Sequence, residues 1–168
     1  MNNVELEYLA VAKNILHSGI EQTGRNGVTK RLPFQTLDFN ISEYFPLLTS
    51  RRIFYKGALG EYAAFVRKPK HINTFKFFNC NYWDTWGDVD GDINIDYGNK
   101  WIEWNGVNQY QNVLNELRTN PTSRRLLITG WDPANLNKVD LPCCHYSYQF
   151  WSDGTNLNLL WNQRSGDW

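Results

Sequence analysis

Apolar residues Leu6, Leu9, Ala10, Ile15 and Leu16 recur along one helical face, and Gly19 lies just beyond them. This spacing predicts an opening helix of roughly four turns closed by a glycine cap. Gly24-Arg25-Asn26-Gly27 then reads as a loop, and Phe34, Leu37 and Phe39 form an imperfectly alternating run that predicts a strand ending near Pro46. A second helix is expected over residues 53–66, where Ala58, Leu59, Tyr62, Ala63, Phe65 and Val66 supply an apolar face around Glu61. Val107, Tyr110, Val113, Leu114 and Leu117 predict a third, stopped by Asn120-Pro121. Beyond it, residues 126–131, 145–151 and 157–163 read as strands, the last two joined by a hairpin turn at Ser152-Asp153-Gly154. Helices early and strands late predict an α+β fold: one large mixed or antiparallel sheet flanked by helices, in a single domain over residues 1–168.

At 168 residues with 42% hydrophobic content, the chain is long enough to bury its own core. Seventeen basic and seventeen acidic residues cancel, so no broad field draws it to nucleic acid, and any anion must be bound locally. Aliphatic runs such as Leu126-Leu127-Ile128 are far shorter than the about 20 apolar residues of a membrane span. No secretory pattern opens the sequence, which makes the cytoplasm the expected compartment. Its density of Asn, Trp and Tyr suggests a phage or low-GC source.

Three cysteines, without C-x-x-C spacing, read as reduced thiols and not as a zinc site. Asp88-Val89-Asp90-Gly91-Asp92 looks like the start of a calcium loop, but its glycine comes too early and Asn99 stands where the closing glutamate belongs. No metal is expected.

Candidate chemistry centres on Leu141-Pro142-Cys143-Cys144-His145, with Arg124-Arg125 upstream and Arg164 downstream. Cationic groups lower a thiol pKa from about 8.5 and so favour the nucleophilic thiolate. Guanidinium also binds phosphate through paired, charge-assisted hydrogen bonds. The combination suggests an activated sulfur beside an anionic substrate.

Ser123-Arg124-Arg125, Cys143-Cys144-His145 and Gln163-Arg164-Ser165-Gly166-Asp167 resemble, in order, the core motifs of the thymidylate synthase family, which includes phage pyrimidine hydroxymethylases. The resemblance extends upstream through Gly24-Arg25, Thr49-Ser50-Arg51-Arg52, Glu61, Trp83-Asp84-Thr85-Trp86 and Tyr97-Gly98. It implies transfer of a one-carbon unit from 5,10-methylenetetrahydrofolate to C5 of a deoxypyrimidine monophosphate, dUMP to dTMP, through a covalent adduct of Cys144 with C6. By the same resemblance Arg25, Arg124, Arg125 and Arg164 surround the 5′-phosphate, with Arg124 and Arg125 reaching in from the partner subunit of a homodimer with shared active sites. Gln163, Ser165, Gly166 and Asp167 complete substrate binding, and Asp167 also meets the pterin. Trp83 and Trp86 resemble the tryptophan pair of the folate pocket, and Arg51 meets the folate tail, although Phe54 stands where some relatives have histidine. Tyr97 matches a tyrosine that assists removal of the C5 proton, and His145 completes the catalytic set.

Glu61 lies on an apolar-faced helix, where it either faces solvent or is buried. Burial would raise its pKa and suit it to proton relay, the role the resemblance implies. Cys143 departs from the family pattern, in which proline is usual, and is assigned no chemistry. Family relatives continue with an asparagine that reads the base, a His-x-Tyr pair and a closing tail, so the chain is expected to be the N-terminal part of a longer or split protein. Two other outcomes remain at this level: a dUMP or dCMP hydroxymethylase, suggested by the compact segment 91–98, and a non-catalytic nucleotide- or RNA-binding fragment.

Overall fold

The computed structural model describes residues 3–24, 27–42 and 45–168. Two compact units result: residues up to Phe54 together with Trp168, and Tyr55–Asp167.

In the first unit, helix α1 (Asn3–Ser18) leads into strands β1 (Ile20–Gly24) and β2 (Gly27–Arg31), an antiparallel hairpin running from Ile20 opposite Arg31 to Gly24 opposite Gly27. The helix expected from the apolar spacing is present. Gly19 is needed for close approach: its N–H bonds to the Ile15 carbonyl at 2.9 Å, and a Cβ would lie 2.3 Å from that oxygen. The hairpin flanking the expected loop has every described position exposed, so no alternation marked it. The strand expected around Phe34–Phe39 does not form. Phe34 is fully exposed with φ 44°, and no strand pairs with this run among the described residues. Glu5, in the first turn of α1, is buried. Its carboxylate accepts the Thr49 and Ser50 backbone N–H groups and the Thr49 hydroxyl, the last at 2.8 Å. The Thr49 hydroxyl and these amides hold its pKa down to about 2.

The second unit contains α2 (Tyr55–Phe65), α3 (Asn73–Phe77), α4 (Asn99–Ile102), α5 (Gln109–Thr119) and strands β3 (Leu127–Thr129), β4 (His145–Ser152) and β5 (Leu157–Gln163). The strands form an antiparallel sheet in the order β3-β4-β5. Helices and antiparallel sheet together give the expected α+β fold; among the described residues the strands divide between this sheet and the hairpin. Helix α5 starts where the Asn108 side chain accepts the Gln111 N–H at 2.8 Å, a capping bond for one otherwise unpaired amide. The β4–β5 turn is held by Asp153, whose Oδ1 accepts from Thr155 and Asn156 N–H at 2.8 and 2.7 Å.

Aromatic rings dominate the core. Phe65 lies 5.6 Å from both Phe75 and Trp83, 5.1 Å from Tyr97 and 5.7 Å from Trp101, with mostly edge-on contacts. Such rings bury about 150–250 Å² each, making this cluster the main apolar contribution to the unit. The calcium-like segment is a turn: Asp88 Oδ1 accepts the Asp90 and Asp92 N–H groups at 3.0 and 2.9 Å. Among the described residues, no three His, Cys, Asp or Glu side chains group as metal ligands, and no helix is long and apolar enough to cross a membrane.

Candidate active site

The nucleophile candidate lies at the start of β4, where the chain emerges from a long connection with β3. That connection is fastened along residues 94–100. Asn94 N–H donates to Asp140 Oδ2 at 2.7 Å, and Asp140 N–H returns a bond to the Asn94 carbonyl at 2.9 Å. Asn135 donates to Asp96 Oδ1 at 2.9 Å, and Lys100 pairs with Asp132 at 2.7 Å. Ile95 and Leu141 form a parallel bridge. At the end of this row the Tyr97 hydroxyl accepts the Cys144 N–H at 2.6 Å and donates to the Pro142 carbonyl at 3.4 Å. Asp96 is buried, and burial raises its pKa.

Arg164 holds the turn from the other side. Its Nε donates to the Cys143 carbonyl at 3.0 Å, an Nη to the Pro142 carbonyl at 2.8 Å, and its backbone N–H to the Cys144 carbonyl at 2.9 Å. A guanidinium has five N–H donors, so these bonds leave others for an anion. The Arg164 guanidinium carbon also lies 5.7 Å from the Trp131 ring centre.

The adjacent thiols face different surroundings. Cys143 is 2% exposed, its Sγ donating to the Gly130 carbonyl at 3.5 Å, and burial pushes its thiol up to about 11. Cys144 is half-buried and lines a cavity of about 310 Å³. Glu61, Trp83, Trp86, Tyr97, His145, Gln163, Ser165, Gly166 and Asp167 line the same cavity. Residues dispersed over more than a hundred positions therefore converge on one cavity.

Glu61 is half-buried on α2, and Trp83 donates its indole N–H to Glu61 Oε1 at 2.7 Å. Desolvation raises the Glu61 pKa, and the indole bond offsets part of that rise. His145 packs among Phe65, Tyr97, Trp101 and Trp161, with ring centres 4.9–5.8 Å away. Burial lowers its pKa to about 4, leaving the imidazole neutral at neutral pH. Burial also keeps the Tyr97 phenol protonated well above its ordinary range. Trp83 is both core and wall: it is 4% exposed and stacks on Phe75 at 5.1 Å.

In the second unit no arginine lines this cavity, Arg164 included. Arg124 and Arg125 are exposed ahead of β3 and do not line this cavity. Arg51 is an exposed residue of the first unit, and Arg25 lies outside the described residues. Tyr82, which the sequence does not single out, also lines the cavity, as does Leu141, which enters the sequence reading only as the start of the cysteine motif, without a role. Their adjacency to Trp83 and to Pro142-Cys143 was the available signal.

The sequence model of the thymidylate synthase family matches residues 6–168. Thymidylate synthases from the Coxiella burnetii strains Dugway 5J108-111, RSA 331 / Henzerling II and RSA 493 / Nine Mile phase I are each 35% identical over 167 residues, covering 96% of this chain. The chain spans 63% of the length of each of these curated relatives. With its motifs in family order, and Glu61, Trp83, Tyr97, Cys144 and Asp167 among them lining one cavity, the chain belongs to the thymidylate synthase family.

Proposed function

We propose that this chain carries the nucleophile half of a dUMP methylation site, transferring a one-carbon unit from methylenetetrahydrofolate to C5 of the pyrimidine. The observation that carries this reading is that Cys144 lines the cavity shared with Glu61, Tyr97 and His145, while Cys143 is sealed in the core.

Addition of the Cys144 thiolate to C6 sends the C5–C6 electron pair towards the C4 carbonyl oxygen, giving C5 the carbanion character it lacks in the free base. Later elimination of the thiolate restores the double bond. Glu61, its pKa raised by burial, holds and returns a proton near that oxygen. His145 contributes a neutral hydrogen-bonding edge. Tyr97 acts as a neutral hydroxyl steadying the Cys144 amide beside the place where the C5 proton departs. Arg164, with Arg25, Arg124 and Arg125, takes the 5′-phosphate, the last two from a second copy in a cytoplasmic homodimer.

The Trp86 ring and the Asp167 carboxylate on the cavity wall fit a flat heterocycle bearing amino donors. When bound, the folate supplies the one-carbon unit and, in methylation, the hydride. Arg51 would meet its anionic tail.

Incubation with dUMP and methylenetetrahydrofolate should produce dTMP with the absorbance change of dihydrofolate. A 5-hydroxymethyl product with regenerated tetrahydrofolate would assign the hydroxymethylase reaction instead. If a 5-fluorodeoxyuridylate adduct at Cys144 failed to form with folate present, the chain would be a nucleotide-binding fragment without this chemistry.

A further inference from the structure

Gly130, just past the end of β3, donates its N–H to the Tyr146 carbonyl at 2.8 Å and accepts the Cys143 thiol on its own carbonyl at 3.5 Å. Cys144 and His145 lie between those two contacts in the chain. Arg164 Nε holds the Cys143 carbonyl at 3.0 Å, so residue 143 is anchored through both side chain and backbone. Gly130 is itself packed tightly, since a Cβ there would lie 2.7 Å from Trp101 Nε1.

A proline at position 143 would fix φ but offer no side-chain donor. Cysteine leaves φ free and provides a hydrogen bond from a buried group. Thiols are weak donors, but leaving a buried carbonyl unpaired costs more than such a bond gains. With its pKa pushed up to about 11 by burial, the Cys143 thiol keeps its proton at neutral pH.

We propose that Cys143 is a positioning residue for the Cys144 nucleophile: donation of its thiol to the Gly130 carbonyl fixes the direction in which the Cys144 side chain enters the cavity. This inference rests on the reading of Cys144 as nucleophile. Without the donor, only the backbone bonds to Tyr97 and Arg164 hold residues 143 and 144, and the direction of the reactive side chain is less tightly fixed.

The test is iodoacetamide labelling of the full chain across pH, with the modified site resolved by mass spectrometry, in wild type, Cys143→Ser and Cys143→Ala. Cys143→Ser keeps a donor and should label at Cys144 within about twofold of wild type, whereas Cys143→Ala should label about three- to tenfold more slowly at every pH. Wild-type behaviour in Cys143→Ala overturns the proposal. So does equal slowing in both variants, since volume and not the donor would then matter. Should Cys143→Ala fail to fold, the Raman S–H stretch that disappears in Cys143→Ser decides: a hydrogen-bonded frequency supports the proposal and a free-thiol frequency overturns it. Failure of wild-type Cys144 to react with both iodoacetamide and 5-fluorodeoxyuridylate would remove the nucleophile reading and this inference with it, a result distinct from normal labelling in Cys143→Ala.

Discussion

The Trp83 indole donates to Glu61 Oε1 across 2.7 Å, and this bond opposes the desolvation that raises the carboxyl pKa. Trp83→Phe removes the donor while keeping an aromatic ring, so the Glu61 pKa should rise further. Glu61 binds its proton more tightly in the folded chain than in the unfolded one. Its contribution to stability is therefore complete below the ordinary carboxylate range and is lost as pH rises through the elevated folded value. Carbon-13 NMR titration of the Glu61 carboxyl should show an elevated midpoint in wild type and a higher one in Trp83→Phe. An unchanged midpoint would reject this coupling.

Tyr97→Phe should loosen the nucleophile turn. Its hydroxyl accepts the Cys144 amide and donates to the Pro142 carbonyl; removal leaves the Cys144 N–H without this acceptor, while the Pro142 carbonyl keeps its bond from Arg164. The expected loss is about 1–3 kcal/mol, measurable by urea unfolding, with slower alkylation at Cys144.

Gly98 and Gly154 should respond differently to alanine, although φ is positive at both, 65° and 95°. At Gly98 a Cβ would lie 1.9 Å from the Phe65 carbonyl oxygen, so backbone would have to move; at Gly154 nothing lies within 4 Å. Gly154→Ala should cost about 1–2 kcal/mol from conformation alone. Gly98→Ala should exceed about 3 kcal/mol, with overpacking added to that strain. Equal losses in thermal unfolding would contradict this account.

Glu5→Gln should weaken the fastening of Thr49-Ser50 to α1. With its pKa held down to about 2, the Glu5 carboxylate contributes stability above the ordinary glutamate range and loses it as pH falls towards that value. Proteolysis within residues 45–54 should accelerate on acidification in wild type, and should be faster at neutral pH and less pH-dependent in Glu5→Gln.

Long periodic segments were readable. Helix α5 and the β4–β5 hairpin lie where Val113 and Leu117, and Asp153-Gly154, indicate them, because each carries a local pattern with one dominant structural solution. Phe34 and Phe39 misled because alternation describes a strand only when another strand accepts its ladder. Helices α3 and α4 are too short for periodicity to register. The cavity residues were visible through motif order, but their convergence was not. Nothing local reveals that Tyr97 bonds the Cys144 amide or that Glu5 clasps a turn more than forty positions away, since those pairings depend on tertiary structure.

The row of bonds along residues 94–100 makes the length of the neighbouring β3–β4 connection a measured quantity. Surface connections normally absorb an inserted or deleted residue. Here such a change between Asp132 and Asp140 would slip the whole row and carry the sulfur off its mark. Transplanting this chemistry to another scaffold therefore means grafting two segments together, distant in sequence but ruled to the same scale.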